Sequence, residues 1–274
     1  MRPGHGREDV LHVLYGTGAN GKTTFIECIL GMMGDYAMPA APGLLLHKHN
    51  EQHPTERADL WGKRFIASVE VGEARRLNEE TVKQMTGRDS IKGRFMHKDF
   101  FSFASTHKLF LAANHKPDIR GSDHAIWRRV KLWPFVVTFY DPSENREPVM
   151  DVTLLEKLKT EWPGILRWCV EGCVAWLRTG LATPKLVSEA TAGYRAESDR
   201  IGLFIAEKCH VSANAEVGAT ELYAAYRAWA DAGSEYMANQ KRFGEAMSER
   251  GYARKPHGTT RRKHYFGIGL ADEG

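Results

Sequence analysis

The chain has 274 residues, 42% of them hydrophobic and 26% charged, with a net charge of +4. That is the composition of a globular protein able to bury one large core or two smaller ones. No apolar run is long enough to cross a membrane, and Met1-Arg2-Pro3-Gly4-His5-Gly6 lacks the apolar core of a signal peptide, which argues against membrane-spanning and secreted classes. Four cysteines (Cys28, Cys169, Cys173, Cys209) form no CxxC pair, so neither a zinc ribbon nor a disulfide framework is indicated, and a reduced, cytoplasmic protein is expected. Cys169 and Cys173 share one face of an apolar helix and read as small buried thiols.

In chain order, residues 10–15 read as a short buried strand. They run into Gly16-Thr17-Gly18-Ala19-Asn20-Gly21-Lys22-Thr23, which fits the phosphate-loop pattern G-x-x-x-x-G-K-[ST]. Phe25, Ile26, Ile29, Leu30 and Met33 then recur at helical spacing, so the loop sits between a strand and a helix. Its glycines let backbone N–H groups turn toward phosphates at the positive helix end. Lys22 is expected to reach the β/γ-phosphates and the Thr23 hydroxyl to ligate Mg²⁺; residues 16–23 with the following Thr24 form the candidate ATP-binding set.

Residues 65–69 form a second strand ending in Glu70, with Glu73 three positions on. An acid at the end of a buried strand is placed to hold Mg²⁺ and polarise water; Glu70 is assigned the metal-proximal role and Glu73 the second acid, with exchange of roles left open. Between this strand and the next, Lys92, Arg94 and Lys98 alternate with Ile91, Phe95 and Met96, as in a hairpin presenting cations on one edge. Such cations favour sequence-independent grip on a phosphate backbone, while Phe95 and Met96 are expected to pack in the core. The strand 109–113 runs into Asn114, an amide that can sit between the γ-phosphate and the lytic water. Arg128 and Arg129 precede a strand at 130–137; Arg129, adjacent to that strand, is the first candidate for an arginine finger supplied to a neighbouring subunit, with Arg128 second.

A polar break at residues 141–148 precedes a mostly helical segment, 151–199, whose Leu154, Leu155, Leu158, Ile165, Leu166, Trp168, Val174 and Leu177 supply an apolar face. From about residue 201 the chain reads as a separate module. Two helices (221–232 and 241–250, the second stopped by Gly251) precede two strands joined by a basic loop, the outline of a winged helix. Arg261, Arg262 and Lys263 in that region are candidate DNA contacts, since residues 254–264 hold five cations and no acid.

Taken together, the phosphate loop, Arg75-Arg76-Leu77-Asn78-Glu79, Val82-Lys83-Gln84-Met85-Thr86-Gly87-Arg88-Asp89, Leu111-Ala112-Ala113-Asn114-His115-Lys116-Pro117, Ala125-Ile126-Trp127-Arg128-Arg129-Val130, Glu161-Trp162-Pro163-Gly164-Ile165-Leu166 and Leu222-Tyr223-Ala224-Ala225-Tyr226 resemble the C-terminal helicase portion of phage and plasmid primase–helicases, a poxvirus-related branch of superfamily 3. The resemblance implies an α/β P-loop ATPase core of AAA+ type over residues 1–140, a helical segment completing it over 141–199 and a winged-helix-like domain over 200–274. It implies a ring-forming motor, usually hexameric, that hydrolyses ATP with Mg²⁺, translocates on single-stranded DNA and unwinds forked duplex in replication. It carries Lys22 and Thr23 over as Walker A residues, Glu70 and Glu73 as the Walker B region, Asn114 as sensor and Arg129 as finger, and it puts Lys92, Arg94 and Lys98 in the DNA-gripping hairpin. Val71 and Gly72 interrupt the acidic run that similar proteins carry, which leaves the division between Glu70 and Glu73 open. The first strand starts about ten residues from Met1, so primer synthesis is not expected of these residues and an upstream primase or replication-initiation partner is. Two other functions fit parts of the sequence: a small-molecule P-loop kinase, and a DNA-binding protein with a vestigial nucleotide site.

Overall fold

The computed structural model describes residues 8–47, 54–70, 76–119, 124–233, 237–252, 254–257 and 262–271. The chain divides into two compact units, residues 1–194 and 195–274.

The first unit is built on strands β1 (Leu11–Tyr15), β2 (Ala37–Pro39), β3 (Phe65–Glu70), β6 (Lys108–Ala113) and β7 (Val130–Pro134). They form one all-parallel sheet in the order β2-β3-β6-β1-β7. Parallel strands need crossovers, and helices α1 (Lys22–Met33), α2 (Pro54–Ala58), α3 (Glu79–Thr86) and α4 (His124–Trp127) lie in them. Strands covered on both faces carry continuous apolar runs: Leu11, Val13, Leu14, Ile66, Leu109, Leu111, Val130 and Leu132 are all buried. The expected strands at 65–69 and 109–113 are present, each one residue longer, whereas β7 stops at Pro134, short of the expected residue 137. The short edge strand β2 was not anticipated.

Two further strands, β4 (Ser90–Gly93) and β5 (Phe101–Ala104), pair as an antiparallel hairpin. Its loop end rests on α2: a Cβ added at Gly93, the last residue of β4, would lie 2.8 Å from the Ala58 backbone. Helices α5 (Leu154–Thr160), α6 (Trp162–Thr179) and α7 (Lys185–Ser198) follow, as the sequence predicts. The Thr191 hydroxyl of α7 accepts from the N–H of Leu132 at 2.9 Å, capping a ladder donor that edge strand β7 would otherwise leave open. Tyr194 donates to the carbonyl of Pro117 and packs edge-on against Trp127 with ring centroids 5.1 Å apart. The apolar residues of α6 meet a different outcome from the one expected. Leu166, Val170, Val174 and Leu177 are exposed, and so is Cys173, while Cys169 is half-buried. Helical periodicity identifies an apolar stripe but does not say what covers it.

In the second unit, α8 (Arg200–Lys208), β8 (Cys209–Gly218), α9 (Ala219–Ala232), α10 (Gln240–Glu249), β9 (Arg254–His257) and β10 (Arg262–Leu270) form three helices and an antiparallel sheet ordered β8-β10-β9. Its core is aromatic: Phe204, Tyr226, Phe243 and Tyr265 are fully buried, and the Tyr226 and Phe243 centroids are 4.9 Å apart. The Asp199 and Asn239 side chains cap α8 and α10, each accepting a backbone N–H at 3.0 Å. Gly251 has φ +88°, and Tyr252 N–H returns to Met247 O at 3.0 Å, the left-handed stop expected there.

Two buried histidines make the first unit acid-sensitive. His12 accepts from Trp133 Nε1 at 3.1 Å and stacks on Phe110; burial, then the cations Lys108 and Lys131, push its pKa down to about 4. Burial likewise lowers His107 to about 4. Between pH 4 and 6.5 the unfolded chain therefore binds protons that the folded chain refuses, and stability falls as the pH drops. At pH 5 each histidine is expected to remove about 2 kcal/mol relative to pH 7.5. Urea unfolding of the first unit at the two pH values checks this, and a midpoint that does not move refutes it.

Candidate nucleotide and DNA-binding sites

The glycine-rich loop leaves β1 at Gly16 and enters α1 at Lys22, so it sits at the carboxyl edge of the parallel sheet. Gly18 (φ +121°), Ala19 (φ +46°) and Gly21 (φ +83°) all adopt left-handed backbone, which turns the loop back on itself before the helix. Gly16 has another reason to be glycine. A Cβ there would lie 2.3 Å from the carbonyl oxygen of Phe135 and 2.2 Å from Asn20 Nδ2.

Lys22 is buried, and its ammonium donates to Gly16 O at 2.6 Å and to Asn20 Oδ1 at 2.9 Å; burial lowers its pKa. Asn20 in turn donates to Phe135 O at 3.1 Å. In the sequence Asn20 is one of the candidate ATP-binding residues of the loop. The structure gives it a second task, holding the lysine. The loop is laced on both sides. Gly16 N–H donates to Ala113 O on β6 (3.3 Å), Phe135 N–H to Tyr15 O (2.7 Å) and Phe139 N–H to Ala19 O (2.7 Å). Thr17, Ala19 and Thr23 are exposed and Gly18, Gly21 and Thr24 half-buried, so the face of the loop toward solvent is open.

The other expected residues gather at the same sheet edge. β3, β6 and β1 are consecutive, Glu70 stands opposite Ala113, and Ala113 opposite Tyr15. Glu70, Asn114 and Gly16 are thus the terminal or next residues of three adjacent strands, spread over about 10 Å at the usual strand spacing. Asn114 is half-buried. Glu73 lies outside the described residues.

Arg128 and Arg129 are at the other edge. β7 runs parallel to β1, and Leu11 N–H bonds Arg129 O at 2.8 Å, so both arginines lie near the start of β1, about 16 Å of strand away from the loop. Arg129, the first candidate for the finger, is buried; Nη1 donates to Ala125 O at 2.6 Å and Nη2 lies 3.5 Å from Asp9 Oδ2. Arg128 is exposed. The pairing with Asp9, distant in sequence, holds the first candidate in the interior and leaves the second at the surface.

The hairpin carries its cations as expected: Lys92, Arg94 and Lys98 are exposed. Lys92 Nζ and Arg94 Cζ lie 4.9 and 4.7 Å from the centroid of the Phe100 ring, which holds both over one apolar surface. Phe95 stacks on Phe101 at 5.4 Å yet is 37% exposed, and Met96 is 65% exposed at the tip, both contrary to the expected core position. In the second unit Arg262 and Lys263 are exposed on β10, opposite His257 and Pro256; Arg261 lies outside the described residues.

This is a mixed α/β protein whose parallel sheet carries a glycine-rich lysine loop beside a strand-end acid and amide. A family described only as of unknown function (DUF5906) matches residues 14–129. The chain is 30% identical over 241 residues to "Putative helicase L207/L206" of Acanthamoeba polyphaga mimivirus, covering 82% of this chain and 25% of the relative. It is 28% identical to "Putative helicase 022R" of Frog virus 3, over 81% of this chain and 24% of that one. To "Putative primase C962R" of African swine fever virus it is 26% identical, over 83% and 25%. The chain is thus similar to proteins of large DNA viruses named putative helicase or putative primase, and spans about a quarter of the length of these relatives. The NrS-1 C-terminal region (305-718) in its apo form shares the fold, with a TM-score of 0.55 at 10% identity, over 95% of this chain and 67% of that one. No helix among the described residues is long and apolar enough to cross a membrane.

Proposed function

We propose that this chain is the ATP-hydrolysing motor region of a replicative DNA helicase, an AAA+ type P-loop ATPase followed by a winged-helix-like module. The observation that carries the reading is the buried Lys22 ammonium, held by the loop itself within one sheet edge that also bears Glu70 and Asn114. A buried ammonium bonded only to a carbonyl and an amide oxygen is a charge suited to an anionic ligand, and the loop and the α1 N-terminus offer backbone N–H donors beside it. These residues therefore fit a nucleoside triphosphate with Mg²⁺. The metal would be held by Thr23 and Glu70, and it supplies charge neutralisation between the phosphates.

On binding, Lys22 exchanges Gly16 O and Asn20 Oδ1 for phosphate oxygens. Glu70, with Glu73 as the second acid, polarises the attacking water, and Asn114 orients it in line with the γ-phosphate. Arg128 is the exposed guanidinium at the opposite edge, and it is offered to the nucleotide of an adjacent copy in a ring. Arg129 supports that edge from beneath through Asp9. Lys92, Arg94 and Lys98 grip the backbone of single-stranded DNA in the manner of an electrostatic groove, and the cations Arg261, Arg262 and Lys263 of the second unit are a separate candidate set of DNA contacts.

Hydrolysis measured with and without single-stranded DNA, with light scattering on the same sample, tests the reading. Stimulated turnover in a ring-sized assembly supports it, and turnover indifferent to DNA sinks it. The hairpin has its own test. Lys92→Ala with Arg94→Ala is expected to weaken DNA binding about equally for all sequences. The slope of log K against log salt should flatten by about 1.4, since each single-strand phosphate contact contributes about 0.7. An unchanged slope would remove the hairpin from the DNA path.

A further inference from the structure

The outer face of the C-terminal sheet brings together three side chains that the motor reading does not use. Tyr265 of β10 is buried in the core, so by strand alternation its neighbours His264 and Phe266 face outward. On the flanking strands Glu216 stands opposite Phe266 and His257 opposite Arg262. His264, on the central strand, is therefore diagonal to both. One ligand atom from each of Glu216, His257 and His264 lies within 4.8 Å of the other two. His257 Nε2 is 3.2 Å from Glu216 Oε2, and the two imidazoles stack with centroids 4.7 Å apart. One ring nitrogen of His264, Nδ1, is shut off from solvent with no hydrogen-bond partner. An orphaned buried ring nitrogen beside another imidazole and a carboxylate lacks a partner that a cation would supply.

We propose that Glu216, His257 and His264 form a site for a divalent transition-metal ion, Zn²⁺ being the best fit. Tetrahedral Zn²⁺ with bonds of about 2.1 Å sets its ligand atoms about 3.4 Å apart, a spacing that the His257–Glu216 pair already has and that small rotamer changes give His264. Two imidazoles and one carboxylate suit Zn²⁺ and disfavour Mg²⁺, which takes oxygen ligands. The fourth position opens to solvent and takes water. Each protein ligand comes from a different strand, so the ion staples β8, β10 and β9 together. The strand that gains most is β9, whose four residues are all exposed and which pairs only at one side. Lys255 and Arg262 share this face and repel a cation, so the negative charge of Glu216 matters beyond its one bond.

The test uses the full chain without a histidine tag. Zn²⁺ is titrated by calorimetry, and Co²⁺ serves as the spectroscopic probe of four-coordinate geometry. One equivalent of Zn²⁺ is expected to bind, and Co²⁺ to give a strong visible band that Zn²⁺ abolishes and a large excess of Mg²⁺ does not. His257→Ala, His264→Ala and Glu216→Gln should each weaken Zn²⁺ binding at least tenfold. His257 sits on the exposed edge strand, so its variant decides the matter even where His264→Ala fails to fold. No saturable binding, or wild-type binding in His257→Ala, overturns the proposal.

Discussion

Lys22→Ala is expected to abolish ATP turnover, with a loss of at least a hundredfold to a thousandfold, while the protein remains folded. The magnitude follows from removing one preorganised charge from the phosphoryl oxygens, a change worth about 3–4 kcal/mol in the transition state. The expectation of an intact fold follows from the packing. Lys22 contacts the loop through two hydrogen bonds, and the loop keeps its other ties to Ala113, Tyr15, Phe135 and Phe139. Removing a buried ammonium also removes its desolvation cost, so the stability change should stay within about 1 kcal/mol. Turnover and urea unfolding on the same preparation separate the two effects. A variant that hydrolyses ATP normally would end the motor assignment, and one that unfolds would show the lysine to be structural.

The second large effect separates neighbouring arginines. Arg128→Ala should keep ATP binding and stability and lose turnover by about a thousandfold, the scale of a missing arginine finger. Arg129→Ala should instead destabilise the first unit by about 2 kcal/mol. It strips the partner from Asp9, whose carboxylate is already mostly withdrawn from solvent with Oδ1 unpartnered. Mixing supplies the sharper readout. An Arg128→Ala copy retains a working Lys22 loop, and a Lys22→Ala copy retains a working Arg128, so a ring holding both contains some complete interfaces. Partial recovery of turnover on mixing is the expected outcome. No recovery at any ratio argues against donation between subunits. Should Arg129→Ala prove stable and inactive, the ranking drawn from burial is wrong.

Much of the sheet edge that carries the lysine loop was legible in the sequence because its strands are largely buried. Residues 65–69 and 109–113 stand out as apolar runs, and each ends where a polar residue, Glu70 or Asn114, breaks the run. Other features depend on contacts that no local pattern announces. β2 has three residues, one of them proline, and its pairing with β3 alone makes it a strand. β8 carries Ser212, Asn214 and Glu216 among small residues, and its strand character comes from β10. Arg129 and Arg128 are alike in sequence. Only Asp9, brought alongside by the parallel pairing of β1 and β7, makes one a support and leaves the other exposed. Phe95, Met96 and Cys173 stand exposed where the sequence predicts burial for the same reason, since apolar character implies burial only where something lies opposite.

β7 has a consequence beyond pairing. At its start sit the two arginines, and just past its end Phe135 and Phe139 are stitched to the two halves of the lysine loop. One rod of five residues, braced along its open side by Thr191, thus joins the place where a subunit would give a charge to the place where it would receive one. In the ring proposed above, such rods would lie end to end, loop to arginine to loop. On the proposed function, a displacement at the arginine end would reach the same copy's lysine loop through the backbone bonds of Phe135 and Phe139.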